Sequence, residues 1–363
     1  MKIGVPQETC AAETRVASTP EVVKKLVKTG FQVLIEAGAG AASHYPDDQY
    51  REAGAEIVDR ATAFDADILL KVRRPDLDEV AAMRAGSIFI GHVETCGEDE
   101  IIGAMVRKDI RVMAVERIPR ISRAQSMDAL SSQSNIAGYR AVIEAAARHG
   151  RFMPMMMTSA GSAKPARLVV LGAGVAGLQA IATARRLGCD VYAYDVRPET
   201  QEQIQSLGAK AIVLDIGESG AGTGGYAKEL SDAAKARQQA ALADELAKAH
   251  IIISTALIPC RPAPVLITPE VVGRMRPGSV IVDLAAATGG NCPLTERDQV
   301  VEKQGVILVG LTNFPALVPA DASAFYARNL SNLLEIMVDK SDTGPVLKDL
   351  DQDEITQAMR VGV

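Results

Sequence analysis

Six residues, Gly172-Ala-Gly174-Val-Ala-Gly177, carry the sharpest chemical signal in the 363-residue sequence. They form a G-x-G-x-x-G after the apolar run Arg167–Leu171 and open the helical stretch 175–187. In that setting Gly172 permits a tight turn, Gly174 lets backbone approach a pyrophosphate, and Gly177 lets the helix pack closely on the strand. The N–H groups at the helix start then receive the anion. Asp195 ends the next apolar run, 18 residues after Gly177. A carboxylate there accepts hydrogen bonds from ribose hydroxyls and repels a 2′-phosphate, so the pattern points to NAD rather than NADP. Arg197, two residues on, is the contrary signal, since an arginine can hold that phosphate. A plain strand-to-helix turn would also use such glycines.

Two further stretches are candidates. Arg120-Ile-Ser-Arg-Ala-Gln125-Ser-Met-Asp128-Ala-Leu-Ser131 is unusually polar for a connection. If it turns helically, Gln125, Asp128 and Ser131 share a side, with Arg120 placed to pair with Asp128. Amide and hydroxyl groups could then hold a nicotinamide carboxamide; a solvated linker is the plainer reading. Gly217, Gly220, Gly222, Gly224, Gly225 and Tyr226 form a glycine-rich loop that reads either as a lid over a ligand or as a solvated connection.

The elements that must position these residues alternate. Strand runs at 2–5, 31–36, 56–58, 67–72, 87–92 and 111–115 are separated by helical pieces, the first with Thr19 as N-cap, Pro20 at N1 and Gly30 as stop. A helix at 135–149, closed by Gly150, follows the polar stretch. A second series of strands comes at 167–171, 190–195, 210–214, 251–256, 280–284 and 306–310, and a helix at 320–337. This predicts an α/β fold of two doubly wound, Rossmann-like parallel-sheet domains with a cleft between them. The expected division is 1–131 with 319–363 as a discontinuous first domain and 132–318 as an inserted nucleotide-binding one.

Composition excludes other classes. A net charge of −6, no Trp, six Phe and seven Tyr argue against a nucleic-acid partner. Five scattered cysteines without a C-x-x-C and four scattered histidines predict no metal site. The longest weakly polar run, 168–184, is too short to span a bilayer.

The residues also resemble a family over essentially the whole chain: the soluble NAD(H)-binding domain I of proton-translocating nicotinamide nucleotide transhydrogenase. The resemblance rests on Arg120-Ile-Ser-Arg-Ala-Gln-Ser-Met-Asp128, Ser131-Ser-Gln-Ser-Asn-Ile-Ala-Gly-Tyr-Arg140 and Gly174-Val-Ala-Gly-Leu-Gln-Ala-Ile-Ala-Thr183. Gly224-Gly-Tyr-Ala-Lys-Glu229, Thr255-Ala-Leu-Ile-Pro259 and Gly289-Gly-Asn-Cys-Pro293 extend it. It implies direct hydride transfer from NADH to NADP⁺, the NADP(H) being carried on a partner subunit, coupled to proton translocation. It also implies a homodimer, cytoplasmic and peripheral on the inner membrane through NADP-binding and membrane-spanning subunits. By position it puts Arg120, Gln125, Asp128 and Ser131 around the nicotinamide, and Val175 and Asp195-Val196-Arg197 on the pyrophosphate and adenosine side. Gly225, Tyr226, Gln238 and Leu257 would belong to a mobile loop and pocket wall. An Arg197 at an NAD site is then expected. Two alternatives stand beside this. Alanine dehydrogenase shares Arg15, Lys71 and His92, yet Ala287 stands where its active-site Asp is expected; a non-catalytic NAD-responsive module is the other.

Overall fold

The computed structural model describes residues 1–96, 99–214, 217, 219, 230–341 and 344–362. It divides into two units, Met1–Gln133 with Pro315–Val363, and Ser134–Phe314. Unit 1 begins with β1 (Lys2–Val5), β2 (Gln32–Glu36), β3 (Glu56–Val58), β4 (Ile68–Leu70), β5 (Ile88–Gly91) and β6 (Arg111–Ala114). They form a sheet in the order β3-β2-β1-β4-β5-β6, all parallel, with Arg360–Val361 pairing antiparallel to β6 at the edge.

Unit 2 opens with an antiparallel ribbon, β7 (Met156–Thr158) and β8 (Gly161–Ala163). Then come β9 (Arg167–Leu171), β10 (Asp190–Tyr194), β11 (Lys210–Ala211), β12 (Ile251–Ser254), β13 (Val280–Asp283), β14 (Val300–Lys303) and β15 (Val306–Val309). Their sheet runs β11-β10-β9-β12-β13-β15-β14, with only β14 antiparallel. The two sheets therefore repeat one doubly wound order, which reverses between β1 and β4 in unit 1 and between β9 and β12 in unit 2.

The cause is visible in the side chains. Along β9, Leu168 and Val170 enter one apolar cluster while Val169 and Leu171 enter the other, so both faces are buried. In β12 Ile251 and Ile253 face one way and Ile252 the other. β4 and β5 divide likewise in unit 1: Ile68, Leu70, Ile88 and Ile90 on one face, Leu69 and Phe89 on the other. Continuous apolar runs are what a parallel strand covered on both sides requires.

Several boundaries differ from expectation. The helix expected from 135 begins at Ala129 and runs to Arg148. Asp128 sets that start, accepting from the Ser131 backbone N–H at 2.9 Å. Ser122–Met127 is a 3₁₀ turn, and Asp128, with ψ 89°, breaks the helical path, so Gln125, Asp128 and Ser131 do not share one continuous helix face. Thr19 precedes helix Pro20–Thr29 in extended conformation but makes no side-chain cap bond; Gly30 stops it with φ +101°.

Candidate functional site

The glycine turn lies at the carboxyl end of β9, beside the strand where the sheet order reverses. Gly172 has φ +95°, a left-handed conformation that favours glycine. A Cβ there would stand 2.6 Å from Thr255 Oγ1, and one on Gly177 would stand 1.8 Å from the Gly172 carbonyl oxygen. A Cβ on Gly174 would meet nothing within 4 Å. Two of the glycines are thus demanded by packing, and the third faces open space. Gly174 also caps helix Val175–Arg186 without a side-chain bond, and the first N–H groups of any helix lack intrahelical acceptors. An open, side-chain-free cradle over such N–H groups fits a pyrophosphate.

Asp195 follows β10 and closes one wall. Its Oδ2 accepts from Ala173 N–H at 2.7 Å and from Arg197 Nη2 at 2.7 Å; Oδ1 accepts from Arg197 N–H at 2.9 Å and Nε at 2.8 Å. The carboxylate is nearly buried. Its hydrogen bond and charge raise the Arg197 pKa, against the effect of burial. Arg197 is folded back on Asp195, not extended as a phosphate clamp. All four acceptor directions of the carboxylate are engaged, so a ribose diol would take over directions now held by the guanidinium. Val196 is half-buried against the β-sheet's second apolar cluster. Val175 and Leu257 are exposed, at 38% and 44%. Gln238, which the resemblance puts with the mobile loop and neighbouring pocket wall, is buried in helix Asp232–Ala247 and donates to Tyr194 Oη at 3.1 Å. Gly225 and Tyr226 lie outside the described residues.

Sequence reasoning assigned no role to three residues that shape this turn. Thr255 donates to the carbonyls of Leu171 and Gly172 at 3.1 and 3.0 Å, tying the end of β12 to the turn. Asn291, fully buried, accepts from Ser254 Oγ at 2.6 Å and donates to the carbonyls of Ala256 and Pro264, bracing the segment that carries Leu257. Gly138 fits against the first turn of helix Val175–Arg186; a Cβ there would meet the Ala176 carbonyl at 2.0 Å. The one signal for it was a glycine inside a helical pattern, which costs about 1 kcal/mol without a packing reason.

The other candidates belong to unit 1. Arg120 and Gln125 are exposed, and Asp128 and Ser131 half-buried. Asp128 Oδ2 accepts from Ser131 Oγ at 2.6 Å, so Asp128 orients the Ser131 hydroxyl as well as capping its helix. The carboxyl ends of β1 and β4, in the same unit, hold a buried charge network. Lys71, 1% exposed, lies 2.8 Å from Glu79 and 3.4 Å from Glu8. Arg60 reaches Glu79 and Glu36 at 2.6 and 3.0 Å. Burial raises the Glu8 pKa, more than Lys71 and the Val72 N–H lower it. Arg15 is held by Glu13 through Nε and Nη2, each at 2.7 Å, and by Gln133 at 2.9 Å. His92 stands 3.6 Å from Glu116 and stacks on Tyr326.

Known proteins share this architecture. The model of the alanine dehydrogenase/PNT N-terminal domain matches residues 4–137, and that of the C-terminal domain residues 141–361. An NAD(P) transhydrogenase subunit alpha polypeptide of Rhodospirillum rubrum is 50% identical over 357 residues, 96% of this chain and 93% of that protein. A crystal structure of transhydrogenase from Sinorhizobium meliloti superimposes with TM-score 0.90 at 46% identity, covering 99% and 98% of the two chains. Alanine dehydrogenase of Bacillus subtilis is 31% identical over 332 residues, 88% of this chain and 81% of that one. The chain belongs to the alanine dehydrogenase/pyridine nucleotide transhydrogenase family.

Proposed function

We propose that this chain is the NAD(H)-binding subunit of a proton-translocating transhydrogenase, passing a hydride directly from NADH to NADP⁺ on a partner subunit. The observation that carries the reading is the open glycine cradle at Gly174 with the Asp195 carboxylate bonded to the same turn through Ala173 N–H. Bound NADH supplies the hydride, which moves with its electron pair from C4 of one ring to C4 of the other, leaving NAD⁺ and NADPH. No general acid or nucleophile is needed. The chain's residues bind, orient and exclude water.

In this reading the N–H groups at Val175 and beyond hold the pyrophosphate. Asp195 takes the ribose hydroxyls and excludes a 2′-phosphate. Arg120, Gln125 and Ser131 orient the carboxamide, Ser131 through the hydroxyl that Asp128 fixes. Val196, Arg197 and Leu257 line the adenosine side and wall, and Gly225 and Tyr226 close over the ligand.

Partner subunits supply the NADP(H) site and the membrane path. Among the described residues no helix is long and apolar enough to cross a membrane; in this reading the chain is held peripherally on the cytoplasmic face of the inner membrane by those partner subunits. The ribbon β7–β8 and its lead-in expose Phe152, Met155, Met156 and Met157 at 57, 63, 38 and 75%. That apolar surface supports the homodimer.

Mixing the chain with the NADP-binding domain of a transhydrogenase and following reduction of an NADP⁺ analogue by NADH tests the reading. Transfer is expected; NADH binding without transfer to any acceptor would mean a non-catalytic module. Pyruvate, ammonium and NADH test alanine dehydrogenase. A keto acid would have to compete with Glu13 for Arg15 and with Glu79 for Lys71, so no turnover at enzyme-like rates is expected.

A further inference from the structure

At the amino-terminal ends of β9, β12 and β13 two hydrogen-bond donors face each other. His250 Nδ1 accepts the backbone N–H of Arg167 at 2.9 Å. That nitrogen must be a bare lone pair, so the proton of the neutral ring sits on Nε2. Nε2 lies 3.2 Å from Arg276 Nη1, and a guanidinium only donates. An N–H pointed at an N–H, with no acceptor between them, is an unfavourable pair. One negatively charged oxygen placed to accept from both turns it into two charge-assisted hydrogen bonds.

The surroundings have the same sign. The His149 ring lies beside that of His250, centroids 6.0 Å apart, and its buried Nδ1 has no hydrogen-bond partner although the residue is only 7% exposed. After burial itself, Arg276, His149, Arg151 and Arg167 are the groups that lower the His250 pKa; for His149, burial and Arg151 lower it and a hydrogen bond to the Gly278 backbone raises it. Two carboxylates beside these elements are already engaged: Glu245 by Arg167 and Lys248, and Asp190, the register partner of Arg167, by Lys210. Arg167 also stacks on Tyr192 at 3.5 Å. Among the described residues Arg276 and Arg151, both exposed, have no ion-pair partner beside the two histidines.

We propose that His149, His250 and Arg276 form a binding site for a phosphate group, at the opposite end of β9 from the glycine turn. Five residues of strand, ~17 Å, separate the two ends. The facing donors of His250 and Arg276, with the His149 ring beside them, suit a tetrahedral oxyanion; a carboxylate would be served by the arginine fork alone. Binding is linked to proton uptake. An anion favours a protonated His149, which gains an Nδ1–H donor where it now has an unused lone pair; His250 stays neutral, because its Nδ1 accepts the Arg167 N–H. Affinity therefore rises as pH falls through the histidine range.

The test is calorimetric titration of the full chain with inorganic phosphate and, separately, methyl phosphate, at fixed ionic strength and with saturating NADH. Histidine C2–H resonances are followed in parallel. Phosphate should raise the titration midpoint of His149 more than those of His250, His44 and His92, and bind at least tenfold more tightly at pH 6 than at pH 8. Arg276→Gln, at an exposed position, should weaken binding at least tenfold while NADH affinity holds. Equal binding of both probes assigns the site to a phosphoryl group on a larger molecule; loss of the methyl ester assigns it to free phosphate. Equal movement of all four histidines, or phosphate binding indifferent to Arg276→Gln, overturns the proposal. Arg151→Gln, also exposed, repeats the test should Arg276→Gln fail to fold.

Discussion

Units 1 and 2 share a strand order and differ at the point where it reverses. In unit 2 the ends of β9 and β12 meet through glycine backbone and one threonine hydroxyl, leaving an open face at Gly174. In unit 1 the ends of β1 and β4 meet through side chains. Glu8 follows β1 and accepts the Val72 N–H at 2.6 Å, while Lys71, next after β4, sits between Glu8 and Glu79. Tyr326 covers the pair, donating to the Lys71 carbonyl at 2.8 Å. The crevice at a reversal of strand order is where such folds bind ligands, yet here one of the two is filled by charge. Topology offers the position, and the residues after the first strand decide whether it opens.

The largest effect should come from emptying the filled crevice. Lys71→Met keeps the volume and removes the cation from between Glu8 and Glu79, leaving Glu79 with Arg60 alone. Breaking a buried pair this way costs about 3–5 kcal/mol. Hydrogen exchange should show protection lost in β1, β4 and β5. Unaltered stability would mean that the charge network contributes nothing to unit 1.

Next comes a matched pair of glycines. A Cβ on Gly177 meets the Gly172 carbonyl at 1.8 Å, and one on Gly4, in β1, meets the Ala63 carbonyl at 1.9 Å. Each alanine variant should lose about 1–3 kcal/mol through overpacking. Only Gly177→Ala should also abolish NADH binding measured by fluorescence titration, because only that turn is the cradle. Equal effects on NADH would erase the functional distinction between the crevices.

These contrasts were unequally legible in the sequence. The turn was readable because its glycines, the strand before them and Asp195 are local, and the two parallel-dominated sheets follow from apolar runs alternating with helical ones. The charge network was not. Lys71 and Arg15 were visible as residues, but Glu8 reaches Lys71 only once β1 and β4 lie side by side, a pairing set by tertiary register. Arg197 was ambiguous in the same way, since sequence cannot tell an arginine aimed at a ligand from one folded onto the carboxylate two residues back. The early start at Ala129 was hidden by serines, which read as linker until Asp128 supplies the cap. The antiparallel β14 is too short, and too polar at Glu302 and Lys303, to announce itself.

A smaller effect is expected at Asp195. Asp195→Ala removes the acceptor for Ala173 N–H and for ribose hydroxyls, and takes the carboxylate away from the Arg197 guanidinium. NADH should bind about tenfold more weakly, the scale of one hydrogen bond to a charged group. NADPH should gain relative to NADH, because the repelling carboxylate has gone and an arginine remains. Unchanged NADH affinity would remove Asp195 from the ribose and leave its bond to the turn as its whole role.

The smallest effect separates the units by pH. Glu8 in unit 1 has a folded pKa raised by burial, so the folded state holds its proton more tightly than the unfolded chain does. Its contribution is fully present below the unfolded carboxylate value, about 4.3, and is lost as pH rises through the folded value. His149 and His250 in unit 2 have pKa values lowered by burial and by neighbouring arginines. There the unfolded chain binds more protons as pH falls below about 6.5, so stability rises with pH across that window. Lowering pH from 7 to 5.5 should therefore loosen β9, β12 and β13 in hydrogen exchange, while the Glu8 contribution to β1 and β4 moves the opposite way. His149→Phe should flatten part of the unit 2 response and leave unit 1 unchanged. A common pH dependence in both sheets would show that the opposed titrations do not govern local stability.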